Sequence, residues 1–132
     1  MADTSKYILV VDDVEDWQRT LSGLLADEGY RVVAVGDSES ALRAVKATKF
    51  DLAVIDIRLD ETDEDNTAGL DLADEIRDTL VSLPVIIITG YETPYTISRA
   101  LRPNQEGQTL AIDFVQKVDA EELVDIVNRV LA

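Results

Sequence analysis

In 132 residues with 46% apolar content there is material for one core of ordinary size, and the net charge of −15 excludes nucleic acid or an anionic membrane as a direct contact. The absence of cysteine excludes disulfides and thiol chemistry and suits a reducing cytoplasm, while the absence of histidine leaves any metal to oxygen ligands. No apolar run approaches the roughly 20 residues of a membrane span, and the N-terminus lacks the basic-then-apolar order of a signal segment.

The first apolar run, Lys6 to Val11, predicts a strand that stops at Asp12-Asp13. Glu15 to Glu28 carries Trp17, Leu21, Leu24 and Leu25 at helical spacing, with Gly29 as a C-terminal cap. Arg31 to Val35 is the next strand, and Gly36-Asp37-Ser38 turns into a helix with Ala41, Leu42 and Val45. The stretch Asp51 to Leu59 holds an apolar run, Leu52 to Ile55, that reads as a strand covered on both faces and ends in Asp56. After a polar loop, Gly69 to Leu80 places Leu70, Leu72, Ala73, Ile76 and Leu80 along one stripe. Pro84 opens the strand Val85 to Ile88, which ends at Thr89-Gly90, and Thr93-Pro94 reads as a cap and first residue of a helix. Pro103 to Thr109 is a loop, and Ala111 to Val115 is the last strand, ending near Lys117. Asp119 and Glu122 have capping-box spacing before a closing helix that buries Leu123, Ile126, Val127 and Leu131.

Five strands alternating with five helices imply an α/β domain, a doubly wound parallel sheet spanning residues 1–132 without linker or repeat. In such a sheet all strands end on one edge, where ligands bind. That edge receives Asp12 and Asp13, Asp56, Thr89 and Lys117. Three crowded carboxylates repel one another unless a cation joins them, and oxygen-only ligands select a hard metal, Mg²⁺. Metal, ammonium and hydroxyl together suit a transferring phosphoryl group, with Asp56 as the carboxylate nucleophile. Singly, each residue has a plainer reading: acids at a helix N-terminus, a turn threonine, a solvated lysine. Their conjunction carries the functional one.

These residues resemble the receiver domain of two-component response regulators, of the chemotaxis-regulator type, over nearly the whole chain. The resemblance implies a flavodoxin-like strand order 2-1-3-4-5. It implies a phosphoacceptor, assisting its own phosphorylation and dephosphorylation without being an enzyme in the turnover sense. Asp56 would take the phosphoryl group from a sensor histidine kinase or a histidine phosphotransfer protein. Asp13, Asp12, Asp56 and the backbone carbonyl of Arg58 would hold Mg²⁺. Phe114 falls at the aromatic switch position, and Arg58 and Tyr91 flank the phosphoryl site. The output face would be the fourth helix, fifth strand and fifth helix, toward a downstream protein or a second copy, in the cytoplasm.

Four features depart from the family pattern. Val118 stands where receivers carry proline after a cis bond, so the expectation is a trans bond with Lys117 redirected, or a strained cis bond kept for function. Asp60 to Asn66 lengthens an acidic loop, and Pro103 to Thr109 replaces a short connection. Phe114 lacks the hydroxyl of a tyrosine switch. A non-phosphorylated pseudo-receiver, acting as an interaction module, is the alternative. An aspartate-nucleophile phosphatase needs an acid where Arg58 stands, and a flavin binder needs a hydroxyl- and glycine-rich loop where Asp12 to Asp16 stand.

Overall fold

The computed structural model describes residues 5–59, 66–79, 83–90, 94–103 and 105–131. Five strands, β1 (Tyr7–Val11), β2 (Arg31–Val35), β3 (Leu52–Asp56), β4 (Val85–Thr89) and β5 (Asp113–Gln116), pair in parallel in the order β2-β1-β3-β4-β5. Between and after them run α1 (Glu15–Ala26), α2 (Ser38–Ala47), α3 (Ala68–Thr79), α4 (Pro94–Leu101) and α5 (Ala120–Leu131). The expected doubly wound order is thus the observed one.

Alternation along buried strands sends side chains to two separate cores. Ile8, Val10, Leu52, Val54, Ile86, Ile88 and Val115 face α1 and α5, meeting Leu21, Leu25, Leu123, Ile126 and Val127. Leu9, Val11, Ala53, Ile55, Val85 and Ile87 face α2, α3 and α4, meeting Val45, Leu70, Ile76 and Ala100.

The helix ends follow local chemistry. Gly29 adopts φ +94°, its amide bonds to the Ala26 carbonyl at 2.9 Å and the Tyr30 amide to the Leu25 carbonyl at 3.3 Å, the paired bonds of a glycine-terminated helix. Asp37 caps α2 by accepting from the Ser40 amide at 2.7 Å. A 3-10 turn over Lys117–Asp119 precedes α5, whose start at Ala120 leaves Asp119 at the expected cap position. The last strand lies two residues later than its apolar run suggests. The Ala111 amide bonds to the Ala100 carbonyl at the end of α4, so pairing with β4 begins only at the Ile112 amide, 2.8 Å from the Val85 carbonyl. Leu80, Thr93, residues 60–65 of the acidic loop and Asn104 lie outside the described residues.

Candidate functional site

The strand register assembles the site. Val11 is level with Ile55, so the residues that follow, Asp12 and Asp56, stand side by side where β1 and β3 end. Asp56 pairs with Ile88 and Thr89 with Gln116, which sets Thr89 and then Lys117 one step further along each neighbouring strand. By alternation Asp12, Asp56 and Lys117 take the face of Val10, Val54 and Val115, toward α1 and α5. Thr89 takes the opposite face, that of Ile87 and Phe114.

Lys117 Nζ lies 2.9 Å from Asp12 Oδ2 and 3.1 Å from Asp56 Oδ2. These residues are 6%, 0% and 1% exposed, so the ion triad is dry. Asp13 is half-buried beside it, and one oxygen from each of Asp12, Asp13 and Asp56 falls within 4.8 Å of the others. Asp12 is fixed from two further sides: its Oδ1 accepts from the Val14 amide at 2.9 Å, and its carbonyl accepts from Gln18 Nε2 at 2.8 Å. Burial pushes the Asp12 carboxyl above its ordinary range, against the lowering influence of the Val14 amide and Lys117. For Lys117 burial works downward and is the largest single influence, but the Asp56 and Asp12 carboxylates together outweigh it and raise the ammonium.

The donor set fits a hard divalent cation. It offers carboxylate oxygens only, and three negative charges against one ammonium leave two uncompensated within this group.

Thr89 is buried at the head of β4, and Gly90 lies against the stem of Lys117: a Cβ there would sit 3.9 Å from Lys117 Cδ. Phe114 is half-buried in the opposite core, on Thr89's side of the sheet rather than in the carboxylate pocket. Arg58, two residues past Asp56, is buried at 4% exposure, and Tyr91 lies outside the described residues. The Lys117–Val118 expectation is corrected. There is no cis peptide among the described residues, yet Lys117 is not redirected. The 3-10 turn carries the chain away after Lys117 and leaves Val118 85% exposed, so the departure from proline sits outside the pocket.

Sequence reasoning passed over two supports of this site and one contact of a third. Gly69 is one. A Cβ there would fall 1.8 Å from the Asp56 carbonyl oxygen and 2.8 Å from Ile57 Cα, and its amide bonds to the Ile57 carbonyl at 2.7 Å. Only glycine lets α3 rest directly on the end of β3; the visible signal was a glycine in a helical first turn, where alanine serves better. Gln18 is another, one turn into α1. Trp17, expected as a core or half-buried residue, is half-buried against the α1/α5 core, but its ring centroid also lies 5.0 Å from Lys117 Nζ.

Comparison with known proteins agrees with this geometry. The family model of the response regulator receiver domain matches residues 8–128. The chain belongs to that family. The chain is 34% identical over 125 residues to the nitrogen assimilation regulatory protein NtrX of Azorhizobium caulinodans, covering 94% of this chain and 26% of that protein. It is 34% identical over 126 residues to the transcriptional regulatory protein ZraR of Klebsiella oxytoca, covering 95% and 26%. It therefore spans about a quarter of the length of the curated relatives it matches. The crystal structure of the NtrX receiver domain from Brucella abortus superposes with TM-score 0.77 at 35% identity, covering 94% of this chain and 97% of that one. That of TrrA from Thermotoga maritima, in complex with Mg²⁺ and BeF, superposes with TM-score 0.75 at 28% identity, covering 95% and 98%. This is a receiver domain, a signalling module, and no helix among its described residues is long and apolar enough to cross a membrane.

Two substitutions probe how this receiver holds its site. Gly69→Ala is expected to cost about 3 kcal/mol or more in a urea titration, because backbone rather than a flexible side chain blocks the new methyl. A loss below about 1 kcal/mol would mean that α3 backs away freely. Asp12→Asn is expected to raise the melting temperature at neutral pH in metal-free buffer. The raised Asp12 pKa means that the folded state holds this proton more tightly than the unfolded chain. The destabilisation is therefore complete above the folded value and vanishes below the ordinary value of 3.8. Calorimetry across that range checks it; a lower melting temperature at neutral pH would mean that the pair with Lys117 outweighs burial.

Proposed function

We propose that this receiver is a phosphorylation switch in which Asp56 accepts a phosphoryl group in a Mg²⁺-dependent reaction. One observation carries the reading: the Lys117 ammonium touches both Asp12 and Asp56 while Asp13 completes a three-carboxylate cluster. These 132 residues contain no histidine, so the donor is a phosphohistidine on a sensor kinase or phosphotransfer protein, unless a small phosphodonor stands in. An Asp56 carboxylate oxygen attacks phosphorus, the phosphorus–nitrogen bond breaks, and the imidazole leaves.

Asp12, Asp13, Asp56 and the Arg58 carbonyl would hold Mg²⁺, which when bound would offset the charge of the phosphoryl oxygens and of the clustered acids. Lys117 pairs with a second phosphoryl oxygen, and the Thr89 hydroxyl donates to a third. Arg58, buried two residues past Asp56, flanks the group and limits water. Phosphorylation adds about −1.5 to −2 charge. Drawing Thr89 toward that charge empties space on the face it shares with Phe114, which follows and biases α4, β5 and α5. That face meets a downstream protein or a second copy. Residues 1–132 form one receiver domain working in the cytoplasm; NtrX and ZraR, named as regulators, support a role in regulating a response.

Asp56→Asn is expected to fold with an unchanged spectrum and to incorporate no phosphoryl group from acetyl phosphate with Mg²⁺, read by intact mass. Labelling of that variant at the wild-type level would refute the assignment, and a wild type that never labels would favour the pseudo-receiver. Millimolar Mg²⁺ is expected to raise the melting temperature of the wild type and to have little effect on Asp13→Asn. Equal shifts in both would remove Asp13 from the metal site.

A further inference from the structure

A lysine side chain gives up about 2 kcal/mol of rotamer entropy when fixed, so an ammonium held in one place needs several anchors. In this structure two anchors of Lys117 are carboxylates, Asp12 and Asp56. Both are claimed by other partners once a divalent cation and a phosphoryl group arrive. Another is the Trp17 ring, whose centroid lies 5.0 Å from Lys117 Nζ, within the reach of a cation–π contact. An aromatic ring has no charge to be neutralised, so its hold on the ammonium survives loading of the site.

From this juxtaposition we infer that Trp17 is a positioning residue for Lys117, keeping the ammonium at the phosphoryl site after its carboxylate anchors are taken; the inference rests on the phosphoacceptor reading of Asp56. Trp17 holds this place because α1 begins at Glu15, one residue beyond the acidic pair, and its first turn brings the ring near Lys117 at the end of β5. The ring also packs against the α1/α5 core, so it is fixed by packing rather than by the lysine alone.

Trp17 is the single tryptophan of the chain, which gives the contact a spectroscopic signature. Without Mg²⁺ or phosphodonor, Lys117→Met is expected to change the intensity and wavelength of Trp17 emission, while Lys46→Met, exposed on α2, leaves it unchanged. With acetyl phosphate and saturating Mg²⁺, Trp17→Leu is expected to slow phosphoryl incorporation about three- to thirty-fold, and Trp17→Phe, which keeps a ring, to recover most of the rate. Melting temperatures of the two variants are measured alongside. The inference is overturned if emission ignores Lys117→Met, or if the Leu and Phe variants lose rate alike in step with their melting temperatures. Should the wild type take up no phosphate, the phosphoacceptor reading fails instead, and the emission arm still decides whether the contact exists.

Discussion

The ammonium of Lys117, set between two carboxylates that are all but inaccessible to water, is the constraint on which this molecule turns. Removing an ion from water costs several kcal/mol even after relaxation, and only close pairing offsets it. One lysine satisfies two acids and leaves the third, Asp13, half-open to solvent. Asp13 thus marks the solvent side of the carboxylate cluster. Neighbouring residues keep the cluster in place. Val14 and Gln18 hold Asp12 by carboxylate and carbonyl, and Gly69 lets α3 press on the end of β3. None of these contacts adds charge. They prevent the acids from swinging apart, which repulsion would otherwise favour.

The same economy explains why two atypical loops leave the pocket intact. Asn66 Oδ1 accepts from the Leu59 amide at 3.2 Å and from the Ala68 amide at 3.0 Å, closing the base of the acidic excursion three residues past Asp56. The Pro103 to Thr109 loop leaves α4 and is pinned back to it through the Ala111 amide and the Ala100 carbonyl. Extra length above a closed base costs little, because closure entropy grows only logarithmically. The helix between these loops is held differently. Among described residues α4 buries only Thr96 and Ala100, whereas α5 buries Leu123, Ile126 and Val127. Its cross-link to α3 runs through Arg99, 2.7 Å from Asp71 and 3.4 Å from Asp74, and exposed pairs of this kind contribute at most about 1 kcal/mol each. A helix with so few buried residues is less firmly held than α5.

The sequence revealed what depends on short-range order: apolar runs, glycine caps, and which strand ends carry Asp12, Asp56, Thr89 and Lys117. The alternation of strand and helix made a parallel, doubly wound sheet legible too, while its strand order followed only from the resemblance to receivers. Register was not legible, and register is what makes Asp12 level with Asp56 and puts Lys117 on their face while Thr89 shares the other with Phe114. Trp17 read as core because its spacing is that of core; no local pattern tells a ring that packs from a ring that packs and also meets a cation. Gly69 looked like a helix start because the atom it must avoid, the Asp56 carbonyl oxygen, is thirteen positions earlier. The Val118 question failed for a third reason. Peptide geometry and lysine placement were treated as one variable, and the 3-10 turn after Lys117 separates them.

The surplus of acid over base, 27 residues against 12, attracts cations to this surface but does not select among them. At physiological salt a surface charge is felt over roughly 8 Å, so the outer acids raise the local concentration of any cation equally. Selection falls to the inner cluster. There a cation bound at the cluster would share the Asp12 and Asp56 carboxylates with Lys117, so each would weaken the hold of the other. Without Lys117 the cluster would bind cations more tightly; without the third acid it would have no reason to bind one at all. The charge balance of this cluster is therefore set by Lys117, whose ammonium also lies 5.0 Å from the centre of the uncharged Trp17 ring.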